Sequence, residues 1–203
     1  MIRAVTTTLF ILVLLINANA QKVTEGRSIY DQPNQLIARL ASGGAILVRL
    51  NTAEKQLELL QKMTLTEKVE KLERELTIEN EEIRAAFSEE LPYINKVFFF
   101  KSSDSPEIRL GNFNGYLSDA KGNIVPNDRI NFDTYVIAEF ARTEEMGIPA
   151  LVVYDDQFNQ LSPPFPYFIR TYESLPLVNR THRRTVHLFN ERLESFSKFH
   201  PEK

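Results

Sequence analysis

Three segments in fixed order constrain this chain more than anything else in it. Ala45-Ile46-Leu47-Val48-Arg49-Leu50 is almost wholly apolar, a long stretch with helical spacing follows, and Lys96-Val97-Phe98-Phe99-Phe100-Lys101 ends the series. A short apolar run bounded by turn residues reads as a buried strand, and two strands joined through a helix pair in parallel by a right-handed crossover. The expected fold class is therefore α/β (α+β), with a mixed sheet and helices packed on it.

Between the strands, Leu57, Leu60, Leu65, Val69, Leu72, Leu76, Ile83 and Phe87 recur among Glu and Lys residues, often three or four apart. That is an amphipathic stripe, with Lys68, Glu70, Lys71, Glu73, Arg74 and Glu75 on the wet faces. Asn51 with Glu54, and Thr64 with Glu67, each have capping-box spacing. One long helix and two helices split near Thr64 fit equally well. We read the stripe as packing on the chain's own sheet, the alternative being a homodimer through residues 65–87.

After residue 101 the apolar runs shorten. Tyr116-Leu117, Tyr135 to Phe140, Leu151-Val152-Val153-Tyr154 and Tyr167-Phe168-Ile169-Arg170 are separated by turn residues and read as hairpins added to the parallel pair. Leu117-Ser118-Asp119 leads to Asn123 and Val125, and Val153-Tyr154-Asp155 leads to Asn159 and Leu161 at the same internal spacing. We expect two similar hairpins, each with an Asp opening an Asn-bearing turn. After Pro176, Thr181 caps a last helix with its stripe at Val186, Phe189, Leu193 and Phe196, and Pro201 stands beyond its end. Before the first strand, a short helix from Asn34 to Ala41 is expected to break at Gly43-Gly44.

The amino terminus carries an address. Arg3 precedes the apolar run from Leu9 to Ile16, and Asn17-Ala18-Asn19-Ala20 places small residues where a signal peptidase reads. The run is far short of the ~20 apolar residues of a permanent span, so cleavage after Ala20 is expected. This divides the chain into a signal peptide (1–20), a mobile leader (21–35) and one domain (36–203), secreted or periplasmic. Cysteine is absent, which removes disulfides, thiol redox chemistry, lipidation at the cleavage site and thiolate metal sites. With 24 basic and 27 acidic residues, a net charge of −3 and no basic patch, nucleic acid is not an expected partner.

Ligands in sheets with parallel strands gather beyond the strands' carboxyl ends. Asn51 and Thr52 follow the first strand and Ser102, Ser103 and Asp104 the second, so these five residues converge on one rim and form the best candidate ligand site. His182 and His187 are five apart, about 140° around a helix, and do not chelate one metal. They and His200 read as solvated or capping residues, and no metal or cofactor is expected. The chain has no GxxxxGK[ST], GxGxxG, HExxH, GxSxG or EF-hand loop. A set of Ser102 or Ser103, His182 and Asp155 imitates a hydrolase triad only on paper. Asp104 and Asp155 are the acids on which a carboxylate-dependent hydrolase, the alternative function, would rest. Asp119, Asp155 and Asp156 also suit strand-end turns.

Pro163-Pro164-Phe165-Pro166-Tyr167-Phe168 belongs to an edge or a loop, because proline cannot donate to a ladder. Residues Pro164, Phe165, Pro166, Tyr167 and Phe168 form a candidate interaction surface, or guard an edge against aggregation. Asn179-Arg180-Thr181 has the spacing of a glycosylation sequon.

Gly147-Ile148-Pro149-Ala150-Leu151-Val152-Val153-Tyr154-Asp155 resembles the segment around the fourth strand of thioredoxin-like proteins. That likeness implies a cis bond before Pro149, then a hairpin and a terminal helix, but no redox activity, since the cysteine pair has no counterpart. The apolar first strand and Pro164-Phe165-Pro166-Tyr167 make the chain similar to small exported bacterial proteins of uncharacterised function. Together these readings imply an exported, non-catalytic domain that binds a protein or a small-molecule ligand.

Overall fold

A computed structural model describes residues 29–199 apart from 174 and 176. The expected signal peptide (1–20), residues 21–28 of the expected leader, Pro176, His200 and Pro201 lie outside the described residues. Strand β1 (Ala45–Leu50) is buried at every position but Arg49 because it has a neighbour on each side and a layer on each face. It pairs in parallel with β2 (Val97–Lys101), Ile46 opposite Val97 and Leu50 opposite Lys101. On its other side it pairs in parallel with β3 (Tyr135–Arg142). Strands β4 (Pro149–Tyr154) and β5 (Phe168–Arg170) follow antiparallel, giving the order β2-β1-β3-β4-β5. The parallel pair is thus a parallel trio. Hairpin signals at 135–140 described only the β3–β4 side, since the return path from β2 crosses the sheet before β3 begins.

Side chains alternate along a strand, so one sheet divides two cores. Ile46, Val48, Leu50, Phe99, Val136, Ala138, Leu151 and Val153 face the larger core, which is closed by α1 (Asp31–Ser42), α3 (Thr66–Glu90) and α5 (His182–Phe199). Ala45, Leu47, Phe100 and Ile137 face the smaller one, closed by Ile108 of α4 (Ser105–Arg109) and by Leu117. Helix α1 begins at Asp31, ahead of the expected start, because Asn34, Ile37 and Leu40 all turn inward. It stops at Gly43, and Gly44 admits no side chain: a Cβ there would lie 2.8 Å from Leu40 Cα and from the Thr134 carbonyl.

Two helices, not one, join β1 to β2: α2 (Glu54–Lys62) and α3. Neither starts on its expected capping box. The Asn51 side chain instead accepts the Ala53 N–H at 2.9 Å, closing an Asx turn, and Ala53 takes a left-handed φ of 46°. Thr64 is left-handed too, at φ 57°, and its hydroxyl donates to the Met63 carbonyl. Thr181 does cap α5, its hydroxyl accepting the Arg184 N–H at 3.2 Å. Only Leu76, Ile83, Ala86 and Phe87 of α3 are buried, and α2 buries nothing. The first turns of α3 and all of α2 therefore pack on each other as an arm, while the rest of α3 lies on α5.

The two echoed hairpins have the same hydrogen bonds. Asp119 Oδ1 accepts the Lys121 and Asn123 N–H groups, and Asp155 Oδ1 those of Gln157 and Asn159. Each Asn side chain also donates to its Asp Oδ2, at 3.1 and 3.0 Å. Gly122 and Phe158 occupy the same left-handed position, φ 85° and 63°. The 116–117 run forms no strand; Ser118 beside it makes isolated bridges to Phe99 and to Ile124. The peptide bond before Pro149 is not the cis one; that is the bond between Pro163 and Pro164.

Candidate functional site

Because Leu50 and Lys101 are in register, the chain leaves β1 and β2 side by side. Thr52 N–H donates to Ser102 Oγ at 3.0 Å, and the two hydroxyls lie 2.6 Å apart. Ser103 donates to Asp104 Oδ1 at 3.1 Å, and the Asn51 carbonyl accepts from the Asn80 amide at 2.9 Å. Thr52 and Ser102 thus meet across the two connections, while Ser103 and Asp104 are turned on each other.

The chemistry missed from sequence lies one residue earlier. Arg49 donates through Nε to Ser105 Oγ at 2.9 Å and through Nη1 to both Glu139 oxygens, at 2.9 and 2.8 Å. Ser105 in turn donates to the Ser102 carbonyl at 2.7 Å, tying the pair to the rim. The pair bridges β1 and β3, where one connection leaves toward β2 and the next toward β4, the divergence at which α/β sheets open a crevice. The side chains are 29% and 16% exposed, so the charges are held in partly desolvated surroundings. Tyr154, on the neighbouring strand, has its hydroxyl pushed up to about 12, first by burial and then by the Glu139 carboxylate. Arg109 sits over the Phe158 ring at 5.0 Å, with Arg49 on the same ring at 6.0 Å. A signal was present: Arg49 is the one charge in the apolar strand AILVRL, and Glu139 interrupts the apolar run of YVIAEFAR ahead of the terminal Arg142.

Acids and histidines are dispersed. Asp155 follows β4, which runs against β3, so it stands at the opposite end of the sheet from Ser102 and Asp104. The paper triad is not assembled, and both Asp155 oxygens serve its turn. His182 meets Glu82 at 3.1 Å and His187 meets Glu90 at 3.0 Å across the α3–α5 seam. Among the described residues no cluster of His, Asp or Glu is arranged to hold a metal ion.

The proline-aromatic segment forms one wall of an open groove. Pro164, Phe165, Pro166, Tyr167 and Phe168 face Arg192, Ser195, Phe196 and Phe199 of α5 across a volume of about 400 Å³. Phe165 is an anchor, not a surface residue: it is 4% exposed and belongs to the larger core. The Tyr167 and Phe168 rings lie 4.9 Å apart, tilted by 59°, and Arg192 donates to the Phe168 carbonyl at 3.1 Å, fixing that wall to the helix. Phe199 is 80% exposed at the groove's end. Compared with family models, curated proteins and solved structures, the chain matches none.

Proposed function

We propose that the chain is an exported, non-catalytic binding domain whose groove between residues 164–168 and α5 receives an apolar segment of a protein partner. One observation carries this reading: a continuous aromatic surface, Tyr167, Phe168, Phe196 and Phe199, lines a groove held open by a rigid proline wall and a helix. Aromatic rings give large contact area at small cost in side-chain entropy, and they concentrate binding energy at interfaces. The self-paired rim and the Asp155 oxygens engaged in a turn support binding over hydrolysis. Export rests on the leading apolar run and the small residues before Gln21.

The test is a photo-crosslinking residue at position 199 or 167, in the compartment to which the chain is exported, with position 124 as an exposed control. A discrete adduct from the groove positions alone is expected, and the adduct from position 199 should vanish with Tyr167→Ser. Equal labelling from position 124, or no adduct at the groove, would remove the reading.

A further inference from the structure

We infer that a second pocket, on the layer covering the smaller core, binds a neutral saccharide. Glu107, Asn112, Phe113, Asn114, Tyr116 and Asn127 line an open recess of about 480 Å³, within the range of small-molecule sites. Its walls are preorganised. The Asn112 N–H donates to the Glu107 carbonyl at 2.9 Å, and the Tyr116 and Leu117 N–H groups close on the Phe113 carbonyl at 3.1 and 3.2 Å. Gly111 and Gly115 take the left-handed turns this path needs, φ 78° and 82°. Phe113 is fixed from behind, its ring 5.2 Å from Phe132 and 5.4 Å edge-on from Tyr135.

The lining chemistry selects the ligand class. The Asn112 amide donates to Glu107 Oε2 at 2.8 Å, which orients it and leaves the Asn112 carbonyl oxygen as an acceptor. The Asn114 and Asn127 amides and the Tyr116 hydroxyl make no hydrogen bond among the described residues, so the recess offers unengaged donors and acceptors together. Hydroxyl groups on a ring require that mixture, because each both donates and accepts. Two aromatic side chains supply apolar area for the C–H face of such a ring. No lysine or arginine lines the recess, which disfavours phosphates and other anions, and a single carboxylate disfavours a metal ion.

The experiment is amide NMR titration of the full mature chain with maltotriose, cellotriose and triacetylchitotriose, with adenosine as a flat, stacking non-saccharide. Saturable shifts at Gly111, Asn112, Asn114, Tyr116 and Asn127 are expected with at least one trisaccharide. Asn114→Ala and Asn127→Ala should each weaken binding about tenfold, the effect of one lost hydrogen-bonding group. Both side chains are exposed, so the melting temperature should hold. A Phe199→Ser change in the groove should leave the titration unaltered. No saturable shift with any trisaccharide, shifts that survive both Asn substitutions, or stronger shifts with adenosine would each overturn the inference.

Discussion

At the scale of residues, single charges inside strands decide what the sheet can tolerate. Arg49 and Glu139 satisfy each other and Ser105, so losing either leaves a partly buried charge without its partner. Glu139→Leu is expected to cost about 1–3 kcal/mol in urea unfolding, below the value for a fully buried pair because water still reaches Arg49. The double change Arg49→Met with Glu139→Leu should recover most of that loss, and a double variant as unstable as the sum of the singles would contradict it. Glu139→Gln should also bring the Tyr154 ionisation down from about 12 only in part, since burial is the larger cause. Ultraviolet titration of the phenolate reads this. Asp119 gives a prediction of opposite sign. Hydrogen bonds from Asn123, side chain first, hold its carboxyl below the ordinary carboxylate value. A carboxyl lowered in the fold adds stability that is complete above its unfolded value and disappears as pH falls through the folded one. The drop in melting temperature between pH 7 and pH 3 should therefore be smaller in Asp119→Asn than in the parent.

At the scale of elements, α3 joins two environments in one helix. Its stripe was legible as periodicity, but periodicity does not say where the partner surface ends. Ile83, Ala86 and Phe87 enter the larger core, whereas residues 66–75 bury no side chain and carry Glu70–Arg74 and Lys71–Glu75 pairs at 3.8 and 3.7 Å. Exposed pairs of that kind contribute little. Phe87→Ala should cost about 3–5 kcal/mol and Lys71→Ala within about 0.5 kcal/mol, both by denaturant unfolding. A dimer through residues 65–87 could not use Ile83, Ala86 or Phe87, which are committed to the core. The helix breaks were legible at Gly43 and Thr181, where one residue's own angles or hydroxyl decides. The split near Thr64, one of the two arrangements the spacing allowed, is where the helices part, but the capping boxes at Asn51 and Thr64 do not form, because left-handed residues that spacing does not reveal set the starts. The twin hairpins were legible because Asp and Asn at fixed offsets dictate the turn bonds locally. The Arg49–Glu139 pair was not, because it needs β3 beside β1, and that pairing is created by the long return from β2.

At the scale of the whole molecule, two of the recesses around this sheet differ sharply in lining: an aromatic groove beside α5 and an amide-rich pocket over the smaller core. Nothing in either uses a thiol, which suits a chain with no cysteine; in an oxidising compartment such a fold rests on packing alone. That packing is sufficient in kind, because burial rises with chain length and a domain near this size hides about two thirds of its unfolded surface. Among the described residues no helix is long and apolar enough to cross a membrane, and the apolar run read as a targeting pattern stands ahead of Gln21. If that run is an address, the chain recovered outside the cytosol should have Gln21 as its first residue, measured by intact mass and amino-terminal sequencing. Replacing Ala18 and Ala20 with bulky residues should then retain the uncut chain at the membrane, since the peptidase reads those small positions. A full-length product, soluble and intact inside the cell, would place both recesses before cytosolic partners instead.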